Sequence, residues 1–301
     1  MKKVLRLTLL FLGLLAAFIG CAEPSPRPAE GRLELRFGLA KFGDVDPLAV
    51  VDKLKAWGFD YAEPSLSQVS ALSDAEFETL LVRVRAAGIP VESMNWFVPK
   101  EIKLTGPAAD PAAIRAYLEK ALARADRLGA KIVVFGSGGA RAVPDGFPRD
   151  KAWAQLRDFV RLYGEVIGRN HFGMTIAIEP LPPTVTNILL TLDETLRLAR
   201  EANRPRVRTM FDFDNMAVAG DAPDAILRAG DEIVHVHMAN THNGRVFPRD
   251  ESEDPRYATV FANLRAIGYR GRMSLEANSK DLEADAKAGL AFLKRMYERY
   301  R

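Results

Sequence analysis

From Leu33 to the C-terminus, short apolar runs alternate with longer amphipathic segments, and the alternation repeats eight times. The runs are LELRFGLA (33–40), FDYAE (59–63), PVESMN (90–95), KIVVFG (131–136), GMTIAIE (173–179), VRTMFD (207–212), EIVHVHMA (232–239) and RMSLEA (272–277). Their length and composition are those of strands. DPLAVVDKLKAWG, SDAEFETLLVRVRAAG, DPAAIRAYLEKALARADRLG, LDETLRLAREAN and DLEADAKAGLAFLKRMYERY read as helices, several opening on an Asp or Ser cap and closing at Gly. Strand followed by helix, eight times over, predicts an α/β chain folded as a single (β/α)8 TIM barrel over residues 33–301. The competing architecture, an open doubly wound sheet, carries a Gly-rich phosphate loop after its first strand. LRFGLAKFGD has none.

The segment before the barrel reads as an address. MKKVLR is a basic start, and LTLLFLGLLAAFIG is an apolar run too short for a comfortable membrane span but right for a secretory signal over residues 1–20. Cys21 follows, the only cysteine in the chain, so no intrachain disulfide is expected. FIGC resembles the lipobox at which bacterial lipoproteins are cut and lipidated, with Phe18 where Leu is usual. The expectation is an exported protein anchored through Cys21 to the cell envelope on its periplasmic side, with Ala22 favouring the outer membrane. Residues 21–32, with Pro24, Pro26 and Pro28, read as a stiff tether. Lys2, Lys3 and Arg6 account for the whole excess of 42 basic over 39 acidic residues. The mature chain is therefore neutral, which argues against a nucleic-acid partner.

A barrel places its active site at the C-terminal ends of its strands, where alternate residues point inward. On GMTIAIE the large apolar residues Met174, Ile176 and Ile178 share the outer face, which sends Glu179 inward at the strand's end. The same parity sends Asp212, His237 and Glu276 inward on the next three strands, with Val234, Val236 and Met238 outward. Three carboxylates converging in a low-dielectric mouth need a cation. Three carboxylates and one imidazole suit Mn, Mg, Co or Zn as a divalent ion. The alternative is that each acid pairs separately with an arginine. His235, deeper on the same face, reads as a hydrogen-bonded support, and His242 as surface. Arg141, after the fourth strand, is placed to bind an anionic or hydroxyl group, or else to fix its loop through an ion pair. Glu63 and Trp96, at the ends of the second and third strands, are read as pocket residues, with barrel packing as the alternative.

The motifs GFDYAE, VVFGSGGARAVPDGF, TIAIEPL with TNILLT, FDFDNM, HVHMAN with GRVFP, and IGYRGRMSLEAN together resemble those of the sugar phosphate isomerase/epimerase family of xylose-isomerase-like TIM barrels. The resemblance covers the chain after the tether. It implies that Glu179, Asp212, His237 and Glu276 bind one divalent metal. It also implies that Glu179 and Glu276 move protons next to a carbonyl through an enediolate, and that Arg245 binds substrate oxygens. The implied partner is a small carbohydrate. Two positions depart from the family pattern. Asn215 stands where a substrate-binding His is common, and Val185 where a Glu is common. They open the alternatives of a metal-dependent lyase or hydrolase on a sugar derivative, or a lipid-anchored carbohydrate-binding protein without catalysis. The related endonucleases need more histidines than the four present.

Overall fold

The computed structural model describes residues 32–242 and 244–301. The expected signal, Cys21 and all of the tether but Arg32 lie outside the described residues. The eight strands are β1 (Glu34–Ala40), β2 (Tyr61–Glu63), β3 (Ser93–Met94), β4 (Ile132–Phe135), β5 (Thr175–Ile178), β6 (Val207–Asp212), β7 (Ile233–Met238) and β8 (Arg270–Leu275). They pair in parallel in the order β2-β1-β8-β7-β6-β5-β4-β3. Isolated bridges Ala62–Val91 and Ser65–Asn95 draw β2 towards β3, so the sheet is a nearly closed barrel. Helices between successive strands make it the (β/α)8 fold that the alternation predicts. No helix among the described residues is long and apolar enough to cross a membrane.

The helix ends follow local chemistry. Ser73 and Glu76 form a reciprocal capping box on helix Asp74–Ala87, and Asp110 caps Pro111–Leu128. Asp281 caps the last helix, Leu282–Tyr300. The first helix is shorter than DPLAVVDKLKAWG suggests, covering Val51–Trp57. The Asp46 carboxylate accepts from the Leu48 amide at 2.9 Å, which holds this stretch in a turn instead of a helix.

Strand parity divides the apolar residues into two bodies. Ile176, Ile178, Val236, Met238, Met273 and Leu275 pack outward against the helices in one continuous core. Ile132, Val134, Ala177 and Met210 form a small apolar plug inside the barrel. Val234 packs against this plug and not, as simple alternation expects, on the outer face. The reason is a register shift: Thr209 pairs with Ile233, but Phe211 pairs with Val236. Beyond the shift Asp212 pairs with His237 and His237 with Ser274, which aligns the inward side chains of β6, β7 and β8. On the opposite side of the interior, Arg36 and Arg272 both bond the Glu92 carboxylate and close the barrel's N-terminal end with charge pairs.

Candidate active site

Glu179 follows β5 directly, and its amide still bonds Phe135 O at 3.1 Å. The carboxylate therefore leaves the ladder at a fixed height. A Cβ at Gly136 would displace Glu179 Oε2, so the glycine after β4 leaves the carboxylate its present position. Asp212 ends β6 and its Oδ1 caps the next short helix through the Asn215 amide at 2.8 Å. Glu276 follows β8. Nδ1 of His237 faces all three acids: Glu179 Oε1 at 3.5 Å, Asp212 Oδ2 at 3.4 Å and Glu276 Oε2 at 3.3 Å.

That nitrogen tests whether the group suits a metal. Nε2 of His237 lies 2.9 Å from Glu63 Oε1, so its proton is committed to Glu63. Nδ1 is buried and has no hydrogen-bond partner among the described residues. A buried lone pair aimed between three carboxylate oxygens is repulsive unless positive charge lies among them, and Arg245 reaches only the Asp212 and Glu276 oxygens. One ligand atom from each of the four side chains falls within 4.8 Å of the others. A proton on Nδ1 would serve one oxygen, whereas a divalent ion would serve all four donors. The residues fit a metal centre of mixed O and N ligands.

The electrostatics have the same cause. Burial pushes the Glu179 carboxyl up to about 7, helped by the Glu276 charge and opposed by His237. Burial opposes ionisation at Asp212, but Arg245 and His237 outweigh it and hold the group well below the usual carboxylate range. Burial also opposes a charge on His237, yet Glu276 and Glu63 keep its pKa well above the ordinary histidine value.

Glu63 is not a wall of the cleft, contrary to its reading as a substrate-binding residue. It lies fully buried beneath the metal-type cluster and accepts from Nε2 of both His235 and His237, each at 2.9 Å, and from Ser274. Burial alone would raise its pKa, but the two histidines hold it far below the carboxylate range. His235 is the support that the sequence suggests. Arg141 is also away from the cleft. Its fully buried guanidinium donates to Phe135 O at 3.0 Å and Leu189 O at 3.1 Å, and burial pushes its pKa down to about 10. It ties strand β4 to the loop after β5 and faces no substrate.

Arg245, Asn215 and Trp96 do line the cleft, a space of ≈590 Å³ that reaches down to Glu179 and Glu276. Arg245 is nearly buried. It pairs with Asp212 at 2.7 Å, with Asp214 at 3.2 Å and with Glu276, and donates to Asn215 Oδ1 at 2.9 Å. Asn215 Nδ2 donates to Glu179 Oε1 at 3.1 Å. On the other side Asn95 Nδ2 donates to Glu276 Oε1 at 2.7 Å. Asn95 and Asp214 escape the sequence reading. The strand-end rule finds Asn95 once it is applied to PVESMN as well as to the late strands. Asp214 carries no such signal, because it lies on the helix that follows β6. His242 is exposed and pairs with Asp254 at 3.2 Å, away from the cluster.

A family model described as xylose isomerase-like TIM barrel matches residues 51–296. The D-psicose 3-epimerase of Agrobacterium fabrum (strain C58 / ATCC 33970) is 28% identical over 244 residues, which are 79% of this chain and 79% of that one. The L-ribulose 3-epimerase of Methylomonas sp. (strain DH-1) is 30% identical over 111 residues, 36% of this chain and 37% of its own. A crystal structure of D-psicose 3-epimerase in the presence of D-fructose superposes with a TM-score of 0.74 at 20% identity, covering 87% of this chain and 99% of that chain, a likeness of fold.

Proposed function

This chain belongs to the xylose isomerase-like TIM-barrel family, and from that premise we propose that it is a divalent-metal-dependent sugar epimerase or isomerase working by proton transfer next to a carbonyl. The observation that carries the reading is the orphaned Nδ1 of His237, set between Glu179, Asp212 and Glu276 at the foot of an open cleft. The curated relatives with this fold are sugar 3-epimerases by name, which supports a sugar substrate.

Glu179, Asp212, His237 and Glu276 would hold the metal. Bound there, a divalent ion supplies positive charge to the oxygens that become negative when a proton leaves the carbon beside a carbonyl. The proton work falls to the two glutamates. Glu179 comes from β5 and Glu276 from β8, with β6 and β7 between them. One removes the proton and the other returns one on the opposite face, which inverts the carbon. Each is steadied by an amide, Glu179 by Asn215 and Glu276 by Asn95. Asn215 thus holds a glutamate at the position where relatives often have a substrate-binding His. Arg245 keeps Asp212 ionised, pairs with Glu276 and faces the cleft as a donor to sugar oxygens.

The test is proton exchange. The domain of residues 22–301, loaded with Mn²⁺ or Co²⁺, is incubated with ketoses in D₂O and the sugars are read by NMR. Deuterium on the carbon beside the carbonyl, lost in Glu276→Gln, is the expected result. No exchange into any ketose, free or O-glycosylated, from a protein shown to hold metal sinks the proposal. A second reading, expulsion of a leaving hydroxyl after the same proton removal, draws on Val185, a wall residue whose side chain offers the substrate no polar atom. New ultraviolet-absorbing enol or keto products would mark it. We also propose export and anchoring through Cys21, on the strength of the FIGC sequence.

A further inference from the structure

The cleft is two-faced. Its foot is ionic, formed by Glu179, Asp214, Arg245 and Glu276. Its wall mixes polar residues such as Ser67, Lys100, Thr184 and Asn278 with an apolar group, and three of the five large hydrophobic side chains that stand exposed among the described residues are gathered there: Trp96 at 42% exposure, and Val185 and Val218 at 52% each. Leu181 and Phe42 continue the same wall. Apolar side chains scattered singly on a surface need no explanation, but a contiguous group around a cleft marks a binding surface.

Trp96 is held in place at a cost. It has φ of +45°, in the left-handed region that a bulky residue avoids. Ser137 and Arg245, also with positive φ, line the same cleft, so half of the six such non-glycine residues described are found there. Strained backbone collected at one site is a sign of function. The Lys41 ammonium sits 5.1 Å from the Trp96 ring centre, an attraction that fixes the ring's place. A ring fixed in that way is a stacking platform.

The dimensions point the same way. A space of ≈590 Å³ lies well inside the roughly 300–1,000 Å³ range of sites that enclose molecules of several rings. The cleft is roomier than one sugar ring at the carboxylates needs, which leaves space along the Trp96 wall for a second group. From this we propose that the substrate is not a free monosaccharide but a sugar carrying a second, O-linked ring, whose apolar face packs on Trp96 while the reacting sugar occupies the ionic foot. The ring can be another sugar or an aryl group, since both present an apolar face. This rests on the site assignment above but not on its chemistry, because it is read by binding alone.

The experiment is calorimetric titration of the metal-loaded domain of residues 22–301 with two matched pairs of probes. One pair is lactulose against D-fructose, and the other is phenyl against methyl β-D-glucopyranoside. The expected result is that the two-ring member of at least one pair binds about tenfold tighter, a stacking-sized effect. The advantage should shrink towards unity in Trp96→Ala or in Val185→Asp, the second of which changes only an exposed loop side chain. The winning pair tells a glycosyl from an aryl substituent. Equal affinities within both pairs, no binding of either two-ring probe, or an advantage kept in both variants overturns the proposal. A two-ring preference in a protein that exchanges no substrate proton would overturn the epimerase reading and leave this one standing.

Discussion

At the scale of the residue, the site turns on one proton. Nε2–H of His237 is held by Glu63, and this leaves Nδ1 free as a donor to a metal. Glu63→Gln keeps the shape but removes the charge that fixes the tautomer. Its metal affinity should fall about 10–100-fold, as outer-shell changes of this kind do, measured by competition with a chromogenic chelator. An unchanged affinity would show that Glu63 merely fills space. The pH response follows from Glu179. Its folded pKa is raised to about 7, so between its ordinary value near 4.5 and about 7 the metal-free folded state binds more protons than the unfolded one. Stability of the metal-free domain should therefore decline as pH rises through that window. His237, where burial opposes a charge but the surrounding Glu276 and Glu63 charges raise the pKa, acts in the same direction. Added metal replaces those protons, so the rise in Tm on adding Mn²⁺ should be larger at pH 8 than at pH 5. A shift that is the same at both values would remove these groups from the metal site.

At the scale of the element, the barrel's loops divide into those that grip the site and those that hold the frame. Arg141 belongs to the frame: it takes two carbonyls, one on β4 and one in the loop after β5. Arg141→Met removes two side-chain hydrogen bonds, while Phe135 O and Leu189 O keep the amides of Glu179 and Leu181 as donors, so the change should cost about 1–2 kcal/mol of stability, seen as a lower denaturant midpoint. A variant of wild-type stability would contradict the assignment. The loop after β7 belongs to the site. Bridges from Val246 to Asn240 and Asn278 anchor it, and Gly244 and Arg245 both take positive φ to turn the guanidinium inward. Arg245→Ala removes the only arginine paired with Asp212, Asp214 and Glu276 among the described residues. Turnover should fall by at least tenfold through loss of charge complementarity, with sugar binding weakened as well. Full activity in this variant would place Arg245 outside the machinery.

At the scale of the whole molecule, export is a separate question from catalysis and is tested separately: Cys21→Ser should move the protein from the membrane fraction to the soluble one, with no change in metal content of the barrel. The fold was open to reading because the barrel is built from a repeated local pattern. Strand-length apolar runs, helix caps and inward parity are properties of neighbours in sequence, and they were enough to set Glu179, Asp212, His237 and Glu276 at equivalent strand ends. What the chain alone did not determine were contacts between residues far apart in sequence. Glu63 and Arg141 look like pocket residues from their places after the strands, but each meets partners brought from elsewhere in the barrel, two histidines for Glu63 and the Leu189 carbonyl for Arg141, which hold it before any substrate can. Val234 obeys the alternation until a register shift against β6 turns it inward. The apolar group on the cleft wall is the sum of side chains from several loops, joined only when the barrel closes. Sequence determined which residues face the interior, because alternation is local. Tertiary structure decided which of them face solvent, each other or a ligand, because burial and hydrogen bonding depend on what the rest of the chain brings alongside.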